Sequence, residues 1–382
     1  MKKFCLVFML LFAAFIRLAT VSNLLPFTPD EEYLIYLAQT IIKDFHVIWI
    51  GVSSLGLDLY MGPFWIYIIS PFLVISKGDP IVLGYLASTL GVFATFLLYW
   101  LGKKLFNEKV GLIASLIYAA SPLIIYYDQK AYPSGIAFLS LLMALSIYMS
   151  KYSRLGWILF AVSYGMVFHI HLSLILVIFV ALYWGFLHRK SLNSKTILLS
   201  ILAFTLTVSP LIAFDYFHKA SNITTPIRIL KTMRGKETML DVRNRLNLLF
   251  QTLGRVSYLQ PYKESSNEIL YPCTITEFST TTKPHWIFSS LTLLFLASFI
   301  LKKSSWKEEN KRLLLFLSLS FSVPFTLLPI INPVEYYLLG FFPLLFLIIA
   351  STIESFSKPA RYLAYVLLFI FVIAGRFTVI TA

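Results

Sequence analysis

Apolar runs, several of them long enough to cross a bilayer, recur from one end of this chain to the other and constrain its fold more than any other feature. A spanning helix needs about 20 such residues. The first run, Phe4 to Leu25 behind Met1-Lys2-Lys3, meets no small-residue cleavage site before Pro26 and reads as an uncleaved signal anchor. At about 1.5 Å per residue it reaches about 33 Å, enough to cross with the lysines left inside. Further runs lie at 81–101, 109–127, 135–150, 155–169, 172–187, 196–214, 285–301, 312–331, 336–354 and 361–380. With the anchor they predict about 11 transmembrane helices. Strand alternation and internal repeats are absent, so the expected fold class is all-α: a polytopic integral membrane protein whose residues 1–382 form a single membrane domain.

The stretch 62–76 is apolar but short, and Pro63 and Pro71 interrupt it. Basic residues decide its placement. If it stays on one side, Lys and Arg collect in the loops at 2–3, 103–109, 151–154, 189–195, 302–312 and 358–361, while the short segments opposite hold only Lys130 and Arg376. The positive-inside rule therefore makes 62–76 a re-entrant or interfacial helix and leaves two long outer loops, 26–80 and 215–284. The expected location is the plasma membrane of a prokaryote, N-terminus inside and active site extracytoplasmic.

Composition agrees: 58% of residues are apolar and 13% charged, against about 45–50% and 25% in soluble domains. The net charge of +14 would suggest nucleic acid in a soluble protein. Here orientation explains most of it, so no nucleic-acid partner is expected. Cys5 lies in the first apolar segment and Cys273 in a distant polar loop, so a disulfide framework has little support.

Several charged residues break the apolar pattern. Arg17 lies inside the first span, where a charge costs about 2.5–3.5 kcal/mol, and either snorkels to the headgroups or pairs with the acids just outside. Thr28-Pro29-Asp30-Glu31-Glu32 reads as a capping box opening a helix over 30–44, and equally as a set of carboxylates at the outer surface able to serve as general base. Asp128, at another outer helix end, is a candidate metal ligand or sugar-orienting acid, or else the partner of Lys130 in a wet loop. His169 and His171 mark an outer turn, more readily as polar turn residues than as ligands. The loop 215–284 concentrates Lys219, Arg228, Lys231, Arg234, Lys236, Arg243, Arg245 and Arg255 against Glu237 and Asp241, on the side where orientation disfavours positive charge. A phosphate ligand or anionic lipid would explain that inversion. Val242, Leu246, Leu249, Phe250 and Leu253 fall at helical spacing, which places part of this loop in the membrane interface. Asn222-Ile223-Thr224 matches a glycosylation acceptor triplet, a weak signal.

Phe15-Ile16-Arg17-Leu18, Asp30-Glu31, Gly62-Pro63-Phe64-Trp65-Ile66-Tyr67, Leu101-Gly102-Lys103-Lys104-Leu105-Phe106, Ser121-Pro122-Leu123 and Tyr336-Tyr337-Leu338-Leu339 with Pro343 stand in an order and spacing that resembles the C-type glycosyltransferase superfamily. Within it the likeness is to protein O-mannosyltransferases and aminoarabinose lipid A transferases. It covers about 1–190 and, loosely, the last spans. The pattern departs at Asp128, which is displaced and followed by Tyr-Pro.

The resemblance implies transfer of a sugar from a polyprenyl-phosphate donor to a lipid, glycan or protein acceptor, with inversion, beside membrane lipids. It implies catalytic roles for Asp30, Glu31 and Asp128, with Asp30 as base held by Glu31 and Arg17. Substrate-binding roles fall to Arg17, Lys130, His171, Arg228, Arg234, Arg243, Arg245, Arg255 and Tyr336. A divalent metal cofactor stays open, and the sequence does not require one. Two other readings remain: a transporter or flippase for the same lipid, and a non-catalytic subunit of an envelope assembly complex.

Overall fold

The computed structural model describes residues 2–25, 29–53, 58–132, 135–233, 239–257, 286–327 and 335–368. In chain order the main helices are α1 (Lys2–Leu24), α2 (Pro29–Asp44), α3 (Phe64–Ile75), α4 (Ile81–Leu105), α5 (Glu108–Ala120), α6 (Pro122–Gln129), α7 (Ile136–Ser150), α8 (Arg154–Ile170), α9 (Val177–Leu187), α10 (Ser194–Phe217), α11 (Ser221–Met233), α12 (Met239–Arg255), α13 (Trp286–Leu301), α14 (Glu309–Leu327) and α15 (Phe342–Glu354). Extended pairing among the described residues is limited to one isolated bridge, Ser53 to Tyr60.

Among the described residues, α1, α4 and α10 are long and apolar enough to cross a membrane. The expected continuous span 109–127 is instead two helices, α5 and α6, bent by 67°. Pro122 causes the break. Its ring pushes the preceding residue out of the helical region, and Ser121 is extended, at φ −67° and ψ 118°, while Pro122 opens α6 where no N–H is required. The expected spans at 135–150, 155–169, 172–187, 285–301 and 336–354 contain helices of 11 to 17 residues, shorter than the bilayer core by themselves. The count of about eleven therefore rests on apolar runs and not on helix length. The last expected span, 361–380, is described only to residue 368, and is helical over 358–368.

Helix starts follow local chemistry. Asn107, Ser153 and Asn193 each accept a hydrogen bond from a first-turn N–H of α5, α8 and α10. Thr28, the expected cap of α2, lies outside the described residues.

The core forms where α4, α5, α7, α8 and α15 pack, with Leu98, Ala114, Tyr118, Met143 and Phe346 buried. A smaller cluster, Leu34, Ala38, Trp65, Ile66 and Ile69 with Leu83, joins α2 and α3 to α4. This second cluster fixes the first turn of α2. At 12 residues, about 18 Å, α3 is too short to cross alone, and its entry is seated on α8 and α10. Gly62 N donates to Phe168 O at 2.8 Å, Phe64 N donates to His169 Nδ1 at 3.3 Å, and His169 Nε2 donates to Thr207 O at 2.8 Å. A Cβ at residue 62 would overlap the His169 ring, so only glycine allows the approach.

Candidate active site

The bend after α5 gives Asp128 a role other than the expected ones. The last carbonyls of a helix lack intrahelical donors, and α5 ends at Ala120. Arg17 reaches across from α1 and supplies them: Nη2 donates to Tyr118 O at 3.3 Å and Nη1 to Ala119 O at 3.2 Å. Its Nε donates to Asp128 Oδ2 at 2.8 Å. Tyr118 Oη donates to the other carboxylate oxygen at 3.3 Å, and the guanidinium lies 5.4 Å from the Tyr118 ring. Arg17 is fully buried. It neither snorkels nor orients Asp30, and Asp128 is paired with Arg17 inside the bundle and not with Lys130 in a wet loop. Gly91 makes room for this, since a Cβ there would overlap the Asp128 carboxylate.

Glu31 is buried and accepts a hydrogen bond from Tyr132 N at 3.0 Å, which ties the first turn of α2 to the chain leaving α6. Asp30, its neighbour, is half-buried and hydrogen-bonded to no described residue by its side chain. Burial raises its carboxyl above the ordinary range, and the nearby Lys130 charge pulls it partly back. Lys130 is 5% exposed, and among the described residues it has no ion-pair partner.

Tyrosines and a histidine gather beside Asp30. Tyr132 lies edge-on to Tyr336 at 6.3 Å between ring centroids, and His171 lies 5.3 Å from Tyr336 and 5.0 Å from Tyr337. The electrostatic influence of Asp30 reaches Tyr132, Tyr336 and Tyr337. Ser173 N donates to His171 Nδ1 at 3.1 Å, so a neutral ring carries its proton on Nε2. Burial pushes this imidazole down to about 3, which keeps it neutral.

The basic loop residues divide. Arg228 is exposed and pairs at 3.6 Å with exposed Asp58. Arg243 is exposed on α12, whereas Arg245 is buried and already engaged. Arg255, expected to meet phosphate, is buried against Glu335: Nε donates to Oε1 at 2.6 Å. Arg234 lies outside the described residues. The helical spacing read in this loop appears as α12, and the basic segment before it as α11. Asn222 is no open glycosylation acceptor. It sits in the first turn of α11, and its carboxamide oxygen accepts from Tyr60 N at 2.7 Å.

Sequence reasoning missed Glu335. Its signal was available, because it is the one acid between Glu309 and Glu354 in a strongly apolar stretch. Among the described residues no three His, Cys, Asp or Glu side chains are grouped to hold a metal ion. Asp128, one of the acids considered as a metal ligand, is paired with Arg17.

Residues 61–214 match the family described as dolichyl-phosphate-mannose-protein mannosyltransferase. No curated protein sequence matches the chain significantly. Solved structures share its fold. ArnT from Cupriavidus metallidurans bound to undecaprenyl phosphate superposes with a TM-score of 0.57 at 11% identity, over 93% of this chain and 61% of that one. The Archaeoglobus fulgidus oligosaccharyltransferase in its apo form gives 0.58 at 14% identity, over 98% and 56%. AglB from the same organism, in complex with an inhibitory peptide and a dolichol-phosphate, gives 0.51 at 13%, over 99% and 55%. The chain therefore spans between 55% and 61% of the length of these structures. Its resemblance to the C-type glycosyltransferases is shown at the level of fold.

Proposed function

We propose that this protein is a membrane glycosyltransferase that moves a sugar from a polyprenyl-phosphate donor to a hydroxyl of a lipid, glycan or protein acceptor on the extracytoplasmic face, with inversion. The observation that carries the reading is the pair Asp30 and Lys130. Arg17, Asp128, Glu31, Arg255 and Glu335 all have hydrogen-bonded partners inside the fold, while the side chains of Asp30 and Lys130 bond to no described residue and feel each other's charge, and Asp30 acts on the aromatic wall. An aromatic face suits a sugar ring, a carboxylate suits an acceptor proton, and an ammonium suits a phosphate.

In the step itself the acceptor oxygen attacks the anomeric carbon from the side opposite the phosphate, and its proton passes to a carboxylate oxygen of Asp30. The bond from that carbon to the phosphate oxygen breaks, leaving its electron pair on the phosphate, where Lys130 stabilises the charge. Glu31 touches no reacting atom. By holding Tyr132 N it keeps the turn bearing Lys130 next to Asp30. His171, uncharged, offers a hydrogen bond to a sugar hydroxyl without competing for the phosphate.

The undecaprenyl phosphate and dolichol-phosphate named in two relatives support a polyprenyl-phosphate donor here. So does an apolar groove of about 440 Å³ between α9 and α14, lined by Leu176, Phe179, Val180, Phe316 and Leu319, which suits an isoprenoid tail.

The test is transfer by purified protein supplied with a polyprenyl-phosphate sugar. A lost charged contact to phosphate is worth about 1.5–3 kcal/mol, so Lys130→Gln should raise KM for the donor about tenfold or more. Arg243→Ala, which removes an exposed cation, should have a smaller effect. Equal and small effects would remove Lys130 from the site. No transfer with any donor, together with movement of the intact lipid across vesicles, would favour a translocase.

A further inference from the structure

We propose that Glu335 is a positioning residue that registers the basic outer-loop helix α12 on the membrane bundle, and with it the aromatic wall of Tyr336 and Tyr337 against which the donor sugar would lie. This rests on the transferase reading for its consequence, but not for its geometry. Glu335 is 3% exposed. Arg255, the last residue of α12, donates to one carboxylate oxygen at 2.6 Å, and Tyr127 of α6 donates to the other at 3.4 Å. Arg255 Nη2 also donates to Thr252 Oγ1 at 3.2 Å, one turn back in α12. Just beyond, Ser121 Oγ donates to Val256 O at 2.6 Å, fastening the chain that leaves α12 to the break between α5 and α6. The residues after Glu335 are Tyr336 and Tyr337, which pack on His171 beside Asp30.

One carboxylate thus joins three parts of the protein: the end of the basic helix, the short helix that also carries Asp128, and the aromatic wall. A buried ion pair is a poor source of stability compared with apolar packing, and its best-attested use is to fix register. The carboxylate leaves Arg255 only one place to sit. Every other basic residue of α12 is then held at a fixed height relative to Asp30, Arg243 and Arg245 included.

The experiment uses the full chain in nanodiscs with Cys5→Ser and Cys273→Ser, and with Thr252→Cys as a reporter. Thr252 is fully buried, so maleimide should label this position slowly. Glu335→Gln should speed labelling about tenfold or more. In the chain with Thr252 restored, it should raise donor KM about tenfold while kcat stays within about threefold. Arg255→Lys keeps the charge pair and should show the same pattern more weakly, which covers the case in which Glu335→Gln does not fold. Unchanged labelling in both variants would overturn the proposal. So would a fall in kcat with KM unmoved, which would place Glu335 in the chemistry itself. Labelling needs no turnover, so a parent chain that transfers no sugar would defeat the transferase reading while the labelling still decides whether Glu335 positions α12.

Discussion

Asp30→Asn should lower kcat for sugar transfer by about 10²–10⁴-fold and leave donor KM nearly unchanged. The substitution keeps size and helix-start chemistry, since Asn serves as well as Asp near a helix N-terminus, so α2 should remain folded. It removes only the ability to take a proton. Glu31→Gln should cost less, because a carboxamide oxygen can still accept from Tyr132 N. The pH profile supplies a second readout. Burial raises the Asp30 carboxyl, so the base form is lost on acidification earlier than for an ordinary carboxylate, and the acid limb of kcat should lie above the ordinary carboxylate range. Lys130 lowers that carboxyl, so Lys130→Gln should move the limb to higher pH. Near-normal turnover by purified Asp30→Asn protein would remove this acid from the mechanism, and with it the main physical support for catalysis.

Arg17→Met should destabilise the folded protein by about 3–5 kcal/mol, read as loss of thermal stability in detergent, because Asp128 would lose its cation inside the bundle and be left unpaired or forced to take up a proton. The buried terminal carbonyls of α5 would lose their donors at the same time. Removing the acid as well, in Arg17→Met with Asp128→Ala, should recover more than half of the loss, since no buried charge then remains. A single variant as stable as the parent would show that the pair contributes little. Donor affinity should follow stability and not fall on its own, which separates this structural role from the substrate contact expected of Arg17 from sequence.

The helices α1, α4 and α10 were legible because an apolar run announces its own length. The helix over 30–44 was legible because its proline and acids signal a start, and the structure gives Pro29–Asp44. The break at Ser121 was written in the sequence as Ser-Pro, yet hydropathy continues unbroken through it, so the run reads as one span. Turning the chain there by 67° carried Asp128 away from the outer loop, and no local pattern could show that. The pairings that decide the site lie 111 residues apart for Arg17 and Asp128, and 80 apart for Arg255 and Glu335. Spacing rules act over a few turns. Residue type therefore marked Arg17, Asp128 and Arg255 as unusual without revealing that each had a partner inside the bundle, leaving Asp30 and Lys130 as the open pair.

The Arg17 pairing also sets an order of events during synthesis. Arg17 leaves the ribosome 111 residues before the carboxylate that neutralises it. Until then a bare guanidinium would have to lie in hydrocarbon, at a cost of about 2.5–3.5 kcal/mol, or be drawn to the interface. On this account the first helix should reach its final depth only after α6 has been made. Nascent chains arrested before and after Asp128 should differ in how deeply a glycosylation or cysteine tag beside α1 is drawn in; equal depth in both would mean that α1 settles without its partner.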